Sequence, residues 1–208
     1  YSISIDIKTW FNATDYCKKR QNGVHKVFID FRKAFDLVDR KRLLNKLALM
    51  NINKPFWLWI KSFLYGRVQQ VIVNGSSSSI TSCPAGVPQG PVMAPTLFNT
   101  YIHDLEDTLP EQLNVSTEKY ADDCTQHQVV SAASGSNLQQ SIYEVNNWAT
   151  YIMTINAKKT KDMWISFTDA IPEPARLCIE NEPIEKVNVF LKITWCIGPK
   201  QSKMECTC

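Results

Sequence analysis

Glu118-Lys-Tyr-Ala-Asp-Asp-Cys-Thr125 sets two adjacent carboxylates, Asp122 and Asp123, where the chain has to turn. Upstream, Val115 to Tyr120 has the makings of a short strand, and Cys124 to Val130 carries enough β-branched and small residues to return as a second. The reading is a hairpin with acids at its tip. Successive strand residues point to opposite faces, so the two acids differ in role unless the turn twists between them: one serves a metal directly and the other supports it. Taken alone, Ala-Asp-Asp is also an ordinary polar turn, since Asp is a common turn former.

A third acid changes the balance. Asp30 ends the run Val27-Phe28-Ile29, which is apolar and short enough for a buried strand. A carboxylate at the end of such a strand needs a partner or a cation. If this strand lies beside the Tyr120 hairpin, three carboxylates converge and raise one another's pKa values unless divalent ions neutralise them. Oxygen donors without accompanying His or Cys suit Mg²⁺, with Mn²⁺ as the alternative.

Between the acids lies Ala85-Gly-Val-Pro-Gln-Gly90, followed by a stretch that places Leu97, Phe98, Tyr101, Ile102 and Leu105 on one helical face. A glycine turn before a helix N-terminus suits an anionic or nucleic-acid ligand. The series Phe28-Ile-Asp-Phe-Arg-Lys-Ala-Phe-Asp36, Gly86-Val-Pro-Gln-Gly90 and Tyr120-Ala-Asp-Asp123 resembles, in order, motifs A, B and C of reverse transcriptases. In detail the first two are closer to non-LTR (LINE-type) retrotransposon enzymes than to retroviral ones. The resemblance covers Val24 to Phe167 well and the ends poorly.

The resemblance implies an α+β polymerase palm, an antiparallel sheet backed by helices. It also implies partial fingers with an insertion over about residues 37–85, a poorly matching tail over about 168–208 and no evident thumb, all within one domain, 1–208, that is a fragment. The activity implied is RNA-directed DNA polymerisation, with an RNA template, a DNA primer and dNTPs as partners and two Mg²⁺ ions as cofactors. Asp30, Asp122, Asp123 and the backbone carbonyl of Phe31 would hold the metals. Phe35 would sit under the nucleotide sugar and exclude a 2′-hydroxyl by steric clash; without the motif it reads as a core phenylalanine. Gln89, Gly90 and Tyr120 would contact substrate. Asn156-Ala-Lys-Lys-Thr-Lys-Asp-Met163 looks like motif D, and Lys159 is the expected general acid, with Lys158 and Lys161 as competitors.

There are departures from the family pattern. Pro91 and Ala94 stand where small residues such as serine are usual, and Lys192 stands where the primer-grip hairpin, matched in part by Val189 to Ile193, expects glycine. An inactive mobile-element remnant that at most binds nucleic acid is the second reading. All three acids are intact, which favours either an active enzyme or a remnant of recent decay.

The remaining sequence sets limits. The chain of 208 residues carries a net charge of only +3, which alone would not suggest nucleic acid. Three clusters, Lys18-Lys-Arg20, Arg40-Lys-Arg42 and Lys158-Lys-Thr-Lys161, could meet phosphates if they share a face. Seven scattered cysteines without a C-x-x-C pair argue against a disulfide framework or a zinc site, and Cys206-Thr-Cys208 lacks partners. They read as mostly buried thiols in a reducing, intracellular setting, nuclear or cytoplasmic. No signal peptide or membrane-length apolar run is visible, so the sequons at Asn12 and Asn114 read as accidental.

Local signals give the other elements. Trp10 to Cys17 fits a helix closed by Asn22-Gly23. Asp39 can cap a helix with Leu43, Leu47 and Met50 on one stripe, and Asn53-Lys-Pro55 can open a second that Gly66 ends. Arg67 to Val73 reads as a strand, Asn74-Gly75 as a tight turn and Ile80 to Cys83 as the return. Leu138, Ile142, Val145, Ala149 and Ile152 mark a helix over 137–155, and Met163 to Phe167 a strand.

Overall fold

The apolar run ahead of Asp30 forms strand β1 (Gly23–Ile29), which lies at the centre of a five-stranded sheet. The computed structural model describes residues 22–187 apart from Phe167. On one side β1 pairs antiparallel with β3 (Asp123–Val130), itself joined through a hairpin to the edge strand β2 (Ser116–Tyr120). On the other side it pairs antiparallel with β4 (Lys161–Ser166), and the two-residue β5 (Glu185–Lys186) adds in parallel. The expected α+β layout is therefore present.

A central strand is covered on both faces, and this explains why β1 shows no alternation of apolar and polar residues. Val27 and Ile29, with Cys124 of β3, face the main core. The helix α4 (Leu138–Ile152) closes that side with Leu138, Ile142, Val145, Trp148 and Ala149. Two polar residues of β3 also point inward and are satisfied there. The Ser141 hydroxyl donates to Gln126 Oε1 at 2.9 Å, and the Asn137 N–H donates to Gln128 Oε1 at 2.6 Å.

Two helices between β1 and the Gln89 loop follow their caps. Asp39 accepts from the N–H groups of Lys41 and Arg42 to start α1 (Arg40–Leu49), which buries Leu43, Leu44 and Leu47. Met50 is the C-cap and is largely exposed, so the core stripe is Leu43, Leu44 and Leu47. Asn53 caps α2 (Lys54–Leu64), and Trp57 donates its indole N–H to the Leu44 carbonyl, docking α2 on α1.

The hairpin after α2 differs from the expectation of one continuous strand. Val68–Gln69 pairs with Thr81–Ser82, and Ile72–Val73 pairs with Ser76–Ser77. Between these ladders Ser78 captures Val71, taking its N–H on the side-chain oxygen at 3.0 Å and donating its own N–H to the Val71 carbonyl at 2.8 Å. A side chain competing for backbone groups breaks the ladder. The Asn74-Gly75 turn has positive φ at both residues, 49° and 79°, as a type I′ turn requires.

Helix α3 (Ala94–Tyr101) has Pro95 in its first turn and continues as a tighter 3₁₀ segment, His103–Thr108. Leu97, Phe98, Tyr101, Ile102 and Leu105 are all buried, as the periodicity predicts. Among the described residues no helix is long and apolar enough to cross a membrane. Cys124 is buried, which pushes its thiol up to about 12, while Cys83 and Cys178 are half-buried. The expected N-terminal helix, the Lys18 cluster, the primer-grip match and the Cys206–Cys208 pair lie outside the described residues.

Candidate active site

The β1–β3 register decides where the acids go. Ile29 lies opposite Cys124, so one step further along the same antiparallel pairing Asp30 comes opposite Asp123. Both acids are one residue removed from core-facing positions and therefore belong to the opposite face of the sheet. Asp122 occupies the turn between Tyr120 and Asp123, which pair with each other. Its companion in the turn, Ala121, is buried with a φ of +54° and donates its N–H to Asn99 Oδ1 at 3.0 Å. A non-glycine residue in this region is strained and needs such anchoring.

The carboxylates sense one another. Partial burial and then the charges of Asp122 and Asp30 push the Asp123 carboxyl above its ordinary value. Among the described residues no three His, Cys, Asp or Glu side chains are already drawn together as a ligand cage. The oxygen-only donor set of Asp30, Asp122 and Asp123 is the kind that Mg²⁺ prefers.

Asp30 is fixed through its backbone by the loop after α4. Its carbonyl accepts from the Asn156 N–H at 2.7 Å, and its N–H donates to Thr160 Oγ1 at 3.3 Å. The next residue, Phe31, bridges to Ile155. That bridge is made by the Asn156 bond and by the Arg32 N–H donating to the Thr154 carbonyl at 2.8 Å, and neither bond uses a polar group of Phe31. Thus the segment resembling motif D packs directly beside the segment resembling motif A. Within it, Lys158 and Lys159 are exposed, and Lys161 pairs with Glu185.

The Gln89 loop is drawn to the same end of the sheet. Gly86 donates its N–H to the Val38 carbonyl at 2.9 Å, and Val87 donates to the Phe35 carbonyl at 2.8 Å. Gly86 has a φ of +86°, and a Cβ there would lie 2.7 Å from the Asp36 carbonyl oxygen, so only glycine lets the two loops touch. Gln89 and Gly90 are exposed beyond this contact, as is Tyr120 on the hairpin. Phe35 stacks on the buried Phe98, with centroids 4.8 Å apart.

Arg40 answers a question that the sequence reading left open. In place of a phosphate it binds protein: its guanidinium donates to the carbonyls of Cys83, Ala85 and Gly86 at 2.6–2.8 Å. The Arg40-Lys-Arg42 cluster is thus split between a buried loop anchor and exposed cations. Arg40, Asn99, Asn156 and Thr160 all position the site, and the sequence reading assigned a role to none of them individually. Their work is done through backbone groups; Arg40 lies in the Arg40-Lys-Arg42 cluster and Asn156 and Thr160 lie within the stretch resembling motif D, whereas no signal marked Asn99.

Residues 3–195 match the family described as reverse transcriptase (RNA-dependent DNA polymerase). The chain belongs to that family. The RNA-directed DNA polymerase from mobile element jockey of Drosophila melanogaster is 36% identical over 140 residues, 64% of this chain and 15% of that protein. The probable RNA-directed DNA polymerase from transposon X-element of the same fly is 28% identical over 188 residues, 88% of this chain and 19% of that protein. The chain therefore spans less than a fifth of the length of these two relatives. Such relatives uphold the LINE-type resemblance seen in the motifs. By fold, this reverse transcriptase domain is similar to telomerase from Candida albicans, solved in complex with a TWJ fragment of telomeric RNA. The TM-score is 0.57 at 14% identity, covering 83% of this chain and 32% of that one.

Proposed function

We propose that this chain is the copying core of an RNA-directed DNA polymerase, extending a DNA primer on an RNA template with dNTPs. The observation that carries the reading is the β1–β3 register, which puts Asp30 opposite Asp123 with Asp122 in the adjoining turn. The fingers side would include residues 37–85. The family and its mobile-element relatives supply the reaction class.

Asp30, Asp122, Asp123 and the Phe31 carbonyl would hold two Mg²⁺ ions, Mn²⁺ being an alternative. Once bound, the ions would acidify the primer 3′-hydroxyl and neutralise charge on the triphosphate. The chain's own part is positioning, which dominates phosphoryl-transfer chemistry. Asn156 and Thr160 hold the Asp30 backbone in place, and the Asn99 side chain holds the turn that carries Asp122. Phe35, clamped on Phe98, would refuse a 2′-hydroxyl. Gln89 and Gly90 would steady the template base, and Tyr120 would border the primer end. Lys159 would hand a proton to the departing pyrophosphate, with Lys158 and Lys161 as competitors.

Primer extension of oligo(dT) on poly(rA), with Mg²⁺ and dTTP, tests this reading against the Asp122→Asn variant. Extension by the parent and its loss in the variant are expected. Soluble, folded parent protein that extends nothing would shift the assignment to an inactive remnant.

A further inference from the structure

The polymerase reading leaves two deeply buried polar residues without a use. His25 of β1 and Asp162 of β4 are 1% and 0% exposed, and the His25 Nε2–H donates to Asp162 Oδ1 at 2.8 Å. A carboxylate only accepts, so the ring hydrogen sits on Nε2 and Nδ1 keeps its lone pair. Ser136 Oγ lies 2.6 Å from that nitrogen. The same oxygen accepts from the Leu138 N–H at 3.4 Å, which leaves its own hydrogen for His25. Trp164 packs edge-on against the imidazole, with centroids 6.0 Å apart, and steadies its plane. A hydroxyl, a base and an orienting carboxylate thus share one line of hydrogen bonds.

A buried His–Asp pair alone would be a packing element, but this one opens onto a cavity of about 430 Å³, the size of small-molecule sites. His25 and Ser136 line it together with Ala132, Ala133, Ile171 and Leu177, so the space beside the hydroxyl is largely apolar. The loop carrying Ser136 is pinned on both sides. Before it, the Ser134 N–H donates to the Ser131 carbonyl at 3.1 Å and the Ser131 N–H to Ser134 Oγ at 3.2 Å. After it, the Asn137 side chain donates to the Leu113 carbonyl at 3.1 Å. His25 shares the core-facing side of β1 with Val27 and Ile29, whereas Asp30 belongs to the opposite face. The two lie about 16 Å apart along the strand.

We propose that Ser136, His25 and Asp162 form a second, independent site: a serine nucleophile that takes the acyl group of small apolar esters. Nucleophile and base within hydrogen-bond reach, with the base oriented by a third group, is the arrangement that activates a hydroxyl, and it recurs on unrelated folds. Ser136 Oγ attacks the ester carbonyl while its proton passes to His25 Nδ1. Asp162 keeps the ring in the needed tautomer and balances the positive charge formed on it. The bond to the alcohol oxygen then breaks, and His25 returns the proton to that oxygen. Water, deprotonated by the same nitrogen, attacks the acyl-serine; the acid leaves and the proton returns to Ser136 Oγ. The sum is ester plus water to acid plus alcohol.

The test uses the whole chain in EDTA without nucleic acid, so that its result is independent of polymerase activity. A fluorophosphonate probe should form an adduct on Ser136, located by peptide mass spectrometry. Hydrolysis of p-nitrophenyl acetate should fall to the background of surface side chains in Ser136→Ala, and Asp122→Asn should behave like the parent in both assays. His25→Gln should slow adduct formation roughly a hundredfold or more. Thermal melts establish that each variant is folded. Ser136→Cys leaves the buried pair intact and gives a second readout. A thiol beside the imidazole should react with iodoacetamide at least about tenfold faster than the half-buried Cys83 and Cys178.

The proposal is overturned if the folded parent forms no adduct on Ser136, or if Ser136→Ala hydrolyses the ester like the parent. It is equally overturned if the cysteine introduced by Ser136→Cys reacts no faster than Cys83 and Cys178. Any of these outcomes would return the three residues to a purely structural network at the base of the sheet.

Discussion

Asp30 and Asp123 come opposite each other one step beyond the Ile29–Cys124 pair of an antiparallel ladder. This relationship makes their charges a mutual problem that the fold does not solve internally. Asp123 is raised above its ordinary value by burial, then by Asp122 and Asp30. A carboxyl raised in the folded state contributes stability that is fully present below its unfolded pKa and is lost as pH rises through the folded one. Asp123→Asn should therefore raise the metal-free melting temperature at neutral pH, with the difference closing below about pH 4. Mg²⁺ should raise the melting temperature of the parent more than that of the variant. Melts at pH 4 and pH 7 with and without Mg²⁺ decide it, and identical curves at pH 7 would sink the idea.

Asp104 should behave oppositely. Burial alone would raise it, but hydrogen bonds from Lys46 at 2.7 Å and Trp148 at 3.2 Å, with the Lys46 charge, hold it below its ordinary value. Its stabilising contribution is present above the unfolded pKa and is lost as pH falls through the lower folded one. Asp104→Asn should flatten the acid limb of the stability curve below about pH 4 and leave the slope between pH 6 and pH 8 unchanged. Urea midpoints measured across that range test both halves of the statement.

Gly86→Ala should be among the most damaging single-methyl additions. The new Cβ would meet the carbonyl oxygens of Asp36 at 2.7 Å and Phe35 at 2.9 Å, with the backbone at a φ of +86°. Positive φ and overpacking together cost about 2–4 kcal/mol. Because Gly86 and Val87 bond the Phe35–Val38 turn, extension activity should fall with stability. A denaturation midpoint equal to the parent's would refute this account.

Much of this was legible beforehand, and for identifiable reasons. Asp39 and Asn53 announced their helices because a cap is a local interaction between a side chain and its own next turn. The acid hairpin was readable because its turn and alternation are local too. Arg40 was not, since its partners at Cys83, Ala85 and Gly86 lie more than forty positions away and are backbone carbonyls that no sequence pattern marks. Likewise Ser78 broke the Arg67–Val73 strand through a hydroxyl that composition shows only as part of a bland serine run.

Asp162 was also silent in sequence, and it makes the strongest stability prediction. It is fully buried on β4, and His25 of β1 donates its Nε2–H to Asp162 Oδ1 at 2.8 Å, while His25 Nδ1 meets Ser136 Oγ at 2.6 Å. Removing one partner of a buried pair leaves the other polar group stranded. Asp162→Ala should cost about 3–5 kcal/mol in urea denaturation. The apolar double change His25→Phe with Asp162→Leu should cost less than the sum of the single changes. Strict additivity would mean that the pair does not act as a unit.

The last prediction concerns substrate choice. Phe35 is held at two points: its ring stacks on the fully buried Phe98, and its carbonyl accepts from Val87 in the Gln89 loop. A side chain fixed in this way makes a rigid wall, and a rigid wall discriminates by exclusion better than a mobile one. If that wall lies under the nucleotide sugar, Phe35→Ala opens space for a 2′-hydroxyl without touching any carboxylate. Incorporation of UTP relative to dTTP on poly(rA)/oligo(dT) should then rise on the order of tenfold or more, with dTTP extension retained in the folded variant. An unchanged ratio in a variant that still extends with dTTP would return Phe35 to the role of a core side chain bracing Phe98.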